Sequence, residues 1–306
     1  MTALQSPIGS RRRLGAELRR LRTTTGLTLD DVAEQMTCST SKISRLETGK
    51  GIPKAPDVRE LMRLYGVVSD TERDLLLRLV RDSRQQGWWE PLTEGVQPER
   101  FVMDAPARYP ALETEAKAVR SFEVALLNGL LQTPQYTRAV LTAVLPGHGP
   151  SEIDRLVELR RRRQEALVDR DPPLELSVVL DEAALLRAVG SPQIMVEQLQ
   201  FVLDRSTQPN IDLRILPFEV GFHRAHLGEF VVLEFPPGAG SDVVYITSHA
   251  GDTYLETPSD VDLYKDLIAD VTRRALDPDA SRDCIDRYLS VHSSRKVVSV
   301  DRLHDQ

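Results

Sequence analysis

The feature that most constrains this chain is a pair of short helical patterns separated by only two residues. Apolar residues recur at helical spacing from Thr28 to Met36 and again from Ser39 to Thr48, with Thr37 and Cys38 between them. Two helices joined by so short a turn must cross at a steep angle. The spacing therefore predicts a helix-turn-helix unit.

Three further amphipathic patterns complete a helical domain. They run from Arg11 to Thr24, from Pro56 to Tyr65 and from Ser69 to about Arg81. Together with the pair above they predict a domain of five helices over residues 1–84. We expect the arginine run at 11–13 to be a solvated helix start.

The outer face of the second helix of the pair carries residues suited to DNA. Small hydroxyl side chains allow close approach, and two cations lie where guanine edges or phosphates would be. In a helix-turn-helix this helix enters the major groove by its N-terminal end. The candidate contacts on it are Ser39, Thr40, Ser41, Lys42, Ser44 and Arg45. For Arg45 an ion pair with the first helix is an equal alternative, and for Glu47 such a structural pair is favoured.

Residues 14–67 resemble the phage-repressor and Cro-like (XRE-type) helix-turn-helix family. They read LGAELRRLRTTTGLTLDDVAEQMTCSTSKISRLETGKGIPKAPDVRELMRLYGV, and the family pattern is LRxLRxxxGLTxxxLA followed by SxSxISRxExGxxxP. The resemblance implies a lambda-repressor-like domain that binds double-stranded DNA, with the recognition helix beginning at residues 39–44. It also implies that Thr28 starts the preceding helix near a phosphate and that Lys50 lies in the loop after the recognition helix. Many members have Gln at the start of the second helix, which this chain lacks.

The charge of the chain is divided unequally along its length. The whole chain carries 39 basic and 46 acidic residues, a net charge of −7. Residues 1–86 carry 16 basic and 11 acidic side chains, a net charge of +5, which leaves −12 on the remainder. A basic segment can neutralise DNA phosphates, whereas an acidic one is repelled by them. The division therefore favours DNA binding by the first part of the chain.

Composition argues against several other classes of protein. Apolar runs are far shorter than the roughly 20 residues that span a bilayer, so no membrane partner is expected. The first part of the chain shows no export signal. Two cysteines, Cys38 and Cys284, build neither a disulfide framework nor a cysteine zinc site. We expect a cytoplasmic protein.

Residues 85–110 predict a junction rich in tryptophan and proline. Trp88 and Trp89 are adjacent there and are the only tryptophans of the chain. Simple core packing is the favoured interpretation of both. The alternative is that one packs on each domain.

Residues 111–291 predict an α+β domain, and residues 292–306 a flexible tail. Helical patterns cover 112–131, 134–145, 151–169, 181–189, 192–205, 258–275 and 279–289, and strand patterns cover 174–180, 211–216, 230–235, 242–247 and 253–256. Helices thus precede an antiparallel strand cluster that a helix closes, which is typical of the α+β class. The whole chain is predicted to be mainly α, with an α+β C-terminal domain.

Five blocks of this region resemble a C-terminal domain of unknown function found behind this helix-turn-helix in many actinomycete regulators. The blocks are GLLQTPQYTRAV at 129–140, RRRQEAL at 161–167, LDEAALLRAVG at 180–190, ILPFEVGFH at 215–223 and VVYITSHAGDTYLE at 243–256. The resemblance implies an antitoxin-like transcriptional regulator. Such proteins are often encoded beside a very small acidic or neutral partner protein.

No catalytic residue, cofactor or metal site is predicted. His223 and His226 have H-x-x-H spacing, but Glu229 is the only close third ligand, which disfavours a metal. The pair Asp181–Glu182 starts a helix, where a capping role is favoured over acid–base chemistry. A candidate ligand or partner pocket comprises Gln132, Phe222, His223, Tyr245 and Tyr254, with core packing as the alternative.

We therefore expect a sequence-specific transcriptional regulator and not an enzyme. A palindromic DNA operator requires two copies of the DNA-binding domain, so we expect a homodimer. The C-terminal domain would mediate dimerisation and sense a ligand or a partner protein. The alternative is an antitoxin-like protein that sequesters a small partner protein and autoregulates its own operon. A hydrolase that uses the histidine loop is the least favoured hypothesis.

Overall fold

The computed structural model describes residues 6–94, 108–249 and 251–294. Contacts divide the chain into two compact units: the first comprises Met1–Glu94, Asp104–Lys117 and Leu233–Asp242, and the second comprises Gly95–Met103, Ala118–Val232 and Val243–Gln306. The first unit thus includes residues 233–242, which are distant from the rest of it in the sequence. The division at 1–84, 85–110 and 111–291 stays a prediction.

The described part of the first unit is helical apart from its connections and the segment 233–242. Its helices are α1 (Pro7–Thr24), α2 (Leu29–Gln35), α3 (Thr40–Glu47), α4 (Ala55–Leu64), α5 (Asp70–Asp82), α6 (Glu90–Thr93) and α7 (Arg108–Glu115). The first five match the predicted helices closely. Helix α1 begins before the predicted Arg11 because Ser6 caps it, with Ser6 Oγ accepting a hydrogen bond from Gly9 N.

One apolar cluster holds α1 to α5 together. Its buried members include Leu14, Leu18, Val32, Ile43, Leu46, Val58, Leu61 and Leu76. They recur at helical spacing, so each helix turns one apolar stripe inward and leaves its charged residues outside. The prediction that Ile43 and Leu46 are core residues is confirmed.

The prediction that the arginine run at 11–13 is solvated is wrong for Arg12, which is buried. That side chain lies in the first unit beside residues 235–242, and only 6% of Arg12 is exposed. Its neighbours behave differently: Arg11 Nε donates to Ser83 O at 3.1 Å, and the exposed Arg13 pairs with Glu115 at 3.4 Å. The prediction failed because the segment that covers Arg12 is more than 220 residues away in the sequence.

Trp88 and Trp89 both belong to the first unit. Trp89 is buried, and the rings meet edge to face with centroids 5.9 Å apart. Trp88 Nε1 donates to Thr114 Oγ1 at 3.1 Å. These contacts fit the favoured interpretation of core packing.

The second unit is built on a six-stranded sheet with the order β3-β2-β1-β4-β5-β6. The strands are β1 (Ala118–Glu123), β2 (Glu175–Asp181), β3 (Ile211–Leu216), β4 (Phe230–Glu234), β5 (Val243–Ile246) and β6 (Thr253–Leu255), and the helices are α8 (Pro134–Val144), α9 (Pro150–Gln164), α10 (Glu182–Leu186), α11 (Pro192–Arg205), α12 (Pro258–Arg274) and α13 (Pro278–Ser294). The last residues of β4 belong to the first unit. The predicted fold class, mainly α with an α+β C-terminal part, is confirmed.

The sheet is mixed, so the predicted antiparallel arrangement is wrong for two of the predicted strands, β2 and β3. Strand β1 pairs with β2 in parallel and β2 pairs with β3 in parallel, whereas β5 and β6 are antiparallel. Parallel neighbours need a long crossover connection. Helices α8 and α9 provide it between β1 and β2, and α10 and α11 provide it between β2 and β3.

The predicted helix at 112–131 is also wrong. This range contains the end of α7, the central strand β1 and a 3-10 turn at Gly129–Leu131. Strand β1 escaped detection because it buries two polar side chains, Ser121 and Glu123. Asn128 Nδ2 donates to both, at 3.1 Å and 2.6 Å respectively, so these polar residues are satisfied inside the protein.

Helix α13 extends beyond its predicted end at Leu289 and continues into the predicted tail. His292 is buried, and its Nε2 atom lies 2.8 Å from Leu185 O. Residues 295–306 of that tail lie outside the described residues, as do residues 95–107 of the junction.

Candidate nucleic-acid interface

Thr28 caps helix α2 through a complete capping box. Thr28 Oγ1 accepts a hydrogen bond from Asp31 N at 3.1 Å, and the Asp31 carboxylate accepts one from Thr28 N at 2.8 Å. Thr28 Oγ1 also donates to Asp31 Oδ2 at 2.6 Å, and these bonds hold the pKa of the Asp31 carboxyl below its usual value. The Thr28 hydroxyl is therefore engaged in the cap, with an acidic group beside it.

Helix α3 has one buried and one exposed face. Ser39 caps the helix, since its Oγ accepts a hydrogen bond from Lys42 N at 3.3 Å. Ile43 and Leu46 point into the core. Of the other residues predicted to contact DNA on this helix, Ser41, Lys42 and Arg45 are exposed, and Thr40 and Ser44 are half-buried.

Two acidic residues on neighbouring helices hold side chains of α3. Lys42 Nζ lies 2.8 Å from Asp57 Oδ2 on α4, and this hydrogen bond raises the pKa of the lysine. Thr40 Oγ1 donates to Asp30 Oδ1 on α2 at 2.7 Å. The Lys42 side chain is 44% exposed, so the pair with Asp57 is open to solvent. A phosphate that approaches Lys42 would compete with this carboxylate.

Arg45 and Lys50 are both exposed near the end of α3. Arg45 makes no ion pair within the described part of the chain, and its contact with DNA stays a prediction. Its carbonyl accepts a hydrogen bond from Gly51 N at 2.9 Å, so the backbone after the helix turns back on it. Lys50 lies in that loop, as the resemblance implied.

Glu47 has the structural role that the sequence favoured. Arg22 on α1 forms a two-pronged ion pair with it: Nε donates to Oε1 at 2.6 Å and Nη2 to Oε2 at 3.0 Å. The hydrogen bonds that Arg22 donates to Glu47 raise the pKa of Arg22, while burial raises the pKa of the nearby Tyr65 hydroxyl. Because both partners of the ion pair are almost fully buried, the pair fixes the end of α3 on α1.

Gln132, a member of the candidate pocket, is buried and hydrogen-bonded through both its amide nitrogen and its amide oxygen. Its Nε2 donates to Leu127 O at 2.6 Å, and its Oε1 accepts from Arg160 Nη1 at 2.7 Å and from Thr137 Oγ1 at 3.1 Å. These bonds hold the irregular segment after β1 in place. Gln132 thus has a structural role in the second unit.

The other members of the candidate pocket form two groups. His223 meets the ring of Phe122 edge to face at 5.4 Å, and Phe222 beside it is 81% exposed. Tyr245 and Tyr254 pack on each other with ring centroids 5.1 Å apart, and Tyr245 Oη donates to Asp252 Oδ1 at 3.1 Å. These contacts do not test whether the five residues line one pocket, which stays a prediction.

His223 and His226, on the loop between β3 and β4, contact aromatic rings and backbone. His226 Nδ1 lies 3.1 Å from His223 O, and the Phe222 ring lies 4.4 Å from the His226 ring. Within the residues described, no three side chains of His, Cys, Asp or Glu are grouped so as to hold a metal ion. No helix in the same residues has the length and apolarity needed to cross a membrane.

Arg22, Asp57 and Arg12 make contacts that the sequence did not indicate. Neither Arg22 on the first helix nor Asp57 on the fourth has a sequence signal that points to its partner. Arg12 carried no distinguishing signal within its run of arginines. The partners of all three lie on other elements, so spacing along one helix could not reveal them.

Two family models match the chain. A helix-turn-helix domain matches residues 13–76, and a domain of unknown function (DUF5753) matches residues 106–287. No curated protein and no solved structure matches it. The matches confirm the resemblance to a helix-turn-helix protein with a second domain of unknown function, and the first of them supports a DNA-binding regulator.

Proposed function

Since the chain belongs to the family defined by the domain of unknown function DUF5753 and carries a helix-turn-helix domain ahead of it, we propose that it is a sequence-specific transcriptional regulator. The observation that carries the proposal is the exposed face of α3. Ser41, Lys42 and Arg45 lie there, opposite the buried Ile43 and Leu46. A helix fixed by its inner face and polar on its outer face is suited to the major groove.

The charge of residues 1–86 supports the same function. This segment carries a net charge of +5, and exposed cations on and after α3 can neutralise phosphates. The acidic remainder of the chain would be repelled by DNA. Affinity should therefore fall as salt rises, with a slope set by the few phosphates that residues 1–86 reach.

The decisive experiment replaces Lys42 and Arg45 with alanine. The probe is a duplex selected from a random-sequence library by the wild-type chain, and binding is measured by gel shift at physiological salt. The double variant should lose specific binding. The control, Arg78→Ala with Arg81→Ala, removes the same charge from exposed positions of α5 and should retain the sequence preference. Unchanged affinity of the α3 variant would refute the recognition-helix assignment.

We propose that the protein binds its operator as a homodimer. Two recognition helices read two half-sites about one helical turn apart. Selected sequences should therefore contain an inverted repeat, and light scattering should give twice the mass of the chain. A monomer that binds a single half-site tightly would contradict this.

A second candidate function is that of an antitoxin-like protein that sequesters a small partner and autoregulates its operon. The loop between β3 and β4 favours it, because Phe222 and Leu227 are 81% and 92% exposed there. Large exposed apolar residues grouped on one loop are typical of interaction sites. The same loop follows the carboxyl end of a parallel strand, a usual place for small ligands, so it also supports ligand sensing.

The product of the adjacent reading frame, which this candidate function expects to be a very small protein, provides the test. Wild-type chain should co-purify with it, and Phe222→Ser with Leu227→Ser should abolish the complex. Val168→Ser with Leu186→Ser is the matched control at exposed apolar positions elsewhere in the second unit. No complex with the wild type, or equal loss in both double variants, would remove this candidate.

A further inference from the structure

Arg12 holds the turn between strands β4 and β5 to helix α1. Its Nε donates to Ala239 O at 3.3 Å, its Nη2 donates to Ser241 O, and its Cζ lies 4.2 Å from the centroid of the Phe235 ring. The guanidinium thus bonds two backbone carbonyls and covers an aromatic face. A buried cation with this many matched contacts is expensive to disturb, because each lost partner leaves a polar group unpaired.

The turn is shaped to receive this side chain. Gly240 has a φ of +95°, which favours glycine, and a Cβ at this position would lie 3.2 Å from Arg12 Nη2. Gly238 has a similar φ of +82°, but a Cβ there would meet nothing within 4 Å. The two glycines therefore impose the same kind of backbone geometry, and only Gly240 is confined by Arg12.

The backbone of Arg12 lies against the end of the recognition helix. Gly49 follows α3 at a φ of +69°, and a Cβ on it would lie 2.9 Å from Arg12 Cα. One turn further along α1, a Cβ on Gly15 would lie 2.5 Å from Glu47 O. The helices are therefore in backbone contact at this level, with no flexible side chain between them to absorb a displacement.

We propose that Arg12 is a positioning residue through which the β4–β5 turn sets the position of the recognition helix on α1. One side of this residue holds the turn, and the other side touches the end of α3. Strands β4 and β5 flank the turn in the sequence, so a displacement of either strand reaches the turn through the backbone and reaches Arg12 through the hydrogen bonds of the turn. The inference rests on the proposed DNA-binding function for its consequence, though not for its geometry.

The first test perturbs the turn without changing any charge. Gly240→Ala places a methyl group against the Arg12 guanidinium, and Gly238→Ala is the matched control in the same turn. In the full chain, Gly240→Ala should speed hydrogen exchange at the backbone amides of the second half of α3 and weaken binding to the selected duplex by about fivefold. Gly238→Ala should change neither. Equal effects of the two variants would overturn the proposal.

The second test approaches the same contact from α1. Arg12→Ala should reproduce both effects of Gly240→Ala, and Arg13→Ala controls for the loss of one positive charge. Combining Arg12→Ala with Gly240→Ala should add nothing to Arg12→Ala alone, because both remove one contact. A merely destabilising role would instead give additive losses, which would contradict the proposal.

The two readouts separate this inference from the proposed function. If neither the wild-type chain nor any variant binds DNA, hydrogen exchange at the backbone amides of α3 still reports whether the turn acts on this helix through Arg12. If the wild type binds DNA but the exchange of α3 does not respond to Gly240→Ala, the coupling is refuted and the DNA-binding function stands.

Discussion

The two units both bury apolar clusters, but they satisfy buried backbone groups by different means. In the first, α1 to α5 bury an apolar cluster, and the helices satisfy their own backbone groups. In the second, the segment 127–133 is buried without being an α-helix. Side-chain amides bind its carbonyl groups: Gln132 Nε2 binds Leu127 O at 2.6 Å, Gln198 Nε2 binds Leu131 O at 2.6 Å and Gln164 Nε2 binds Gly129 O at 3.2 Å.

This difference teaches what a substitution will cost in each unit. A truncation in the apolar cluster leaves a cavity, so its cost depends on lost packing. A truncation in the polar segment leaves buried backbone groups without partners, so its cost depends on desolvation. Some polar contacts of the first unit join helices, as Arg22 does with Glu47 and Lys42 with Asp57, whereas Arg12 binds backbone carbonyls of the segment 233–242.

The largest effect is expected from Leu18→Ala in the apolar cluster. Leu18 is fully buried, so its loss should lower the free energy of unfolding of the first unit by about 4 kcal/mol. Tryptophan fluorescence in urea measures this, because both tryptophans belong to the first unit. Leu75→Ala, at an exposed position of α5, is the control. Equal shifts of the urea midpoint for the two variants would contradict the stabilising role of the apolar cluster.

Gln198→Ala should lower stability by about 3 kcal/mol, because it leaves two backbone groups unpaired. Gln198 Oε1 accepts from Thr133 N at 2.7 Å, and its Nε2 donates to Leu131 O. Urea unfolding followed by circular dichroism should register this loss, with a smaller change in the fluorescence transition. Gln200→Ala, on the exposed side of the same helix, is the control and should be nearly neutral.

Asp57→Asn tests the ion pair at the edge of the first unit. It releases Lys42 and removes a negative charge near the proposed DNA face, so the duplex should bind about threefold tighter and its salt dependence should steepen. Fluorescence anisotropy over a salt series measures both. Glu60→Gln, which removes the same charge from α4, should not reproduce the gain. Weaker binding by Asp57→Asn would mean that the pair orients Lys42 and does not compete with DNA.

The smallest effect concerns a surface pair of the second unit. Hydrogen bonds from Arg161, and then from Arg162, lower the pKa of Glu158 from 4.5 to about 2. A depressed carboxyl pKa stabilises the folded state above the unfolded value and loses this contribution as pH falls toward the folded value. The urea midpoints of wild type and Glu158→Gln should therefore converge as the pH falls from 5 to 3. The corresponding change in the difference between their free energies of unfolding should be less than about 1 kcal/mol. A constant difference would sink this assignment.

The sequence by itself determined the five helices of residues 1–84 and which side of each faces inward. The apolar stripe of each helix and the residues that begin and end it are local signals. The bounds of α2 and α3 and the burial of Ile43 and Leu46 could therefore be predicted from spacing. The exposed face with Lys42 and Arg45 followed in the same way. These local signals mark where the helices lie, and packing of the apolar stripe in the core stabilises helices as short as these.

Only the tertiary structure decided the features that depend on distant partners. Strand β1 is a strand because β2 and β4 lie on either side of it, and its polar residues are tolerated because Asn128 binds them. Arg12 is buried because a turn from another part of the chain brings two carbonyls to its guanidinium. A side chain's own sequence neighbourhood does not contain the groups that pair with it, and in the interior those groups decide whether a polar residue is stable.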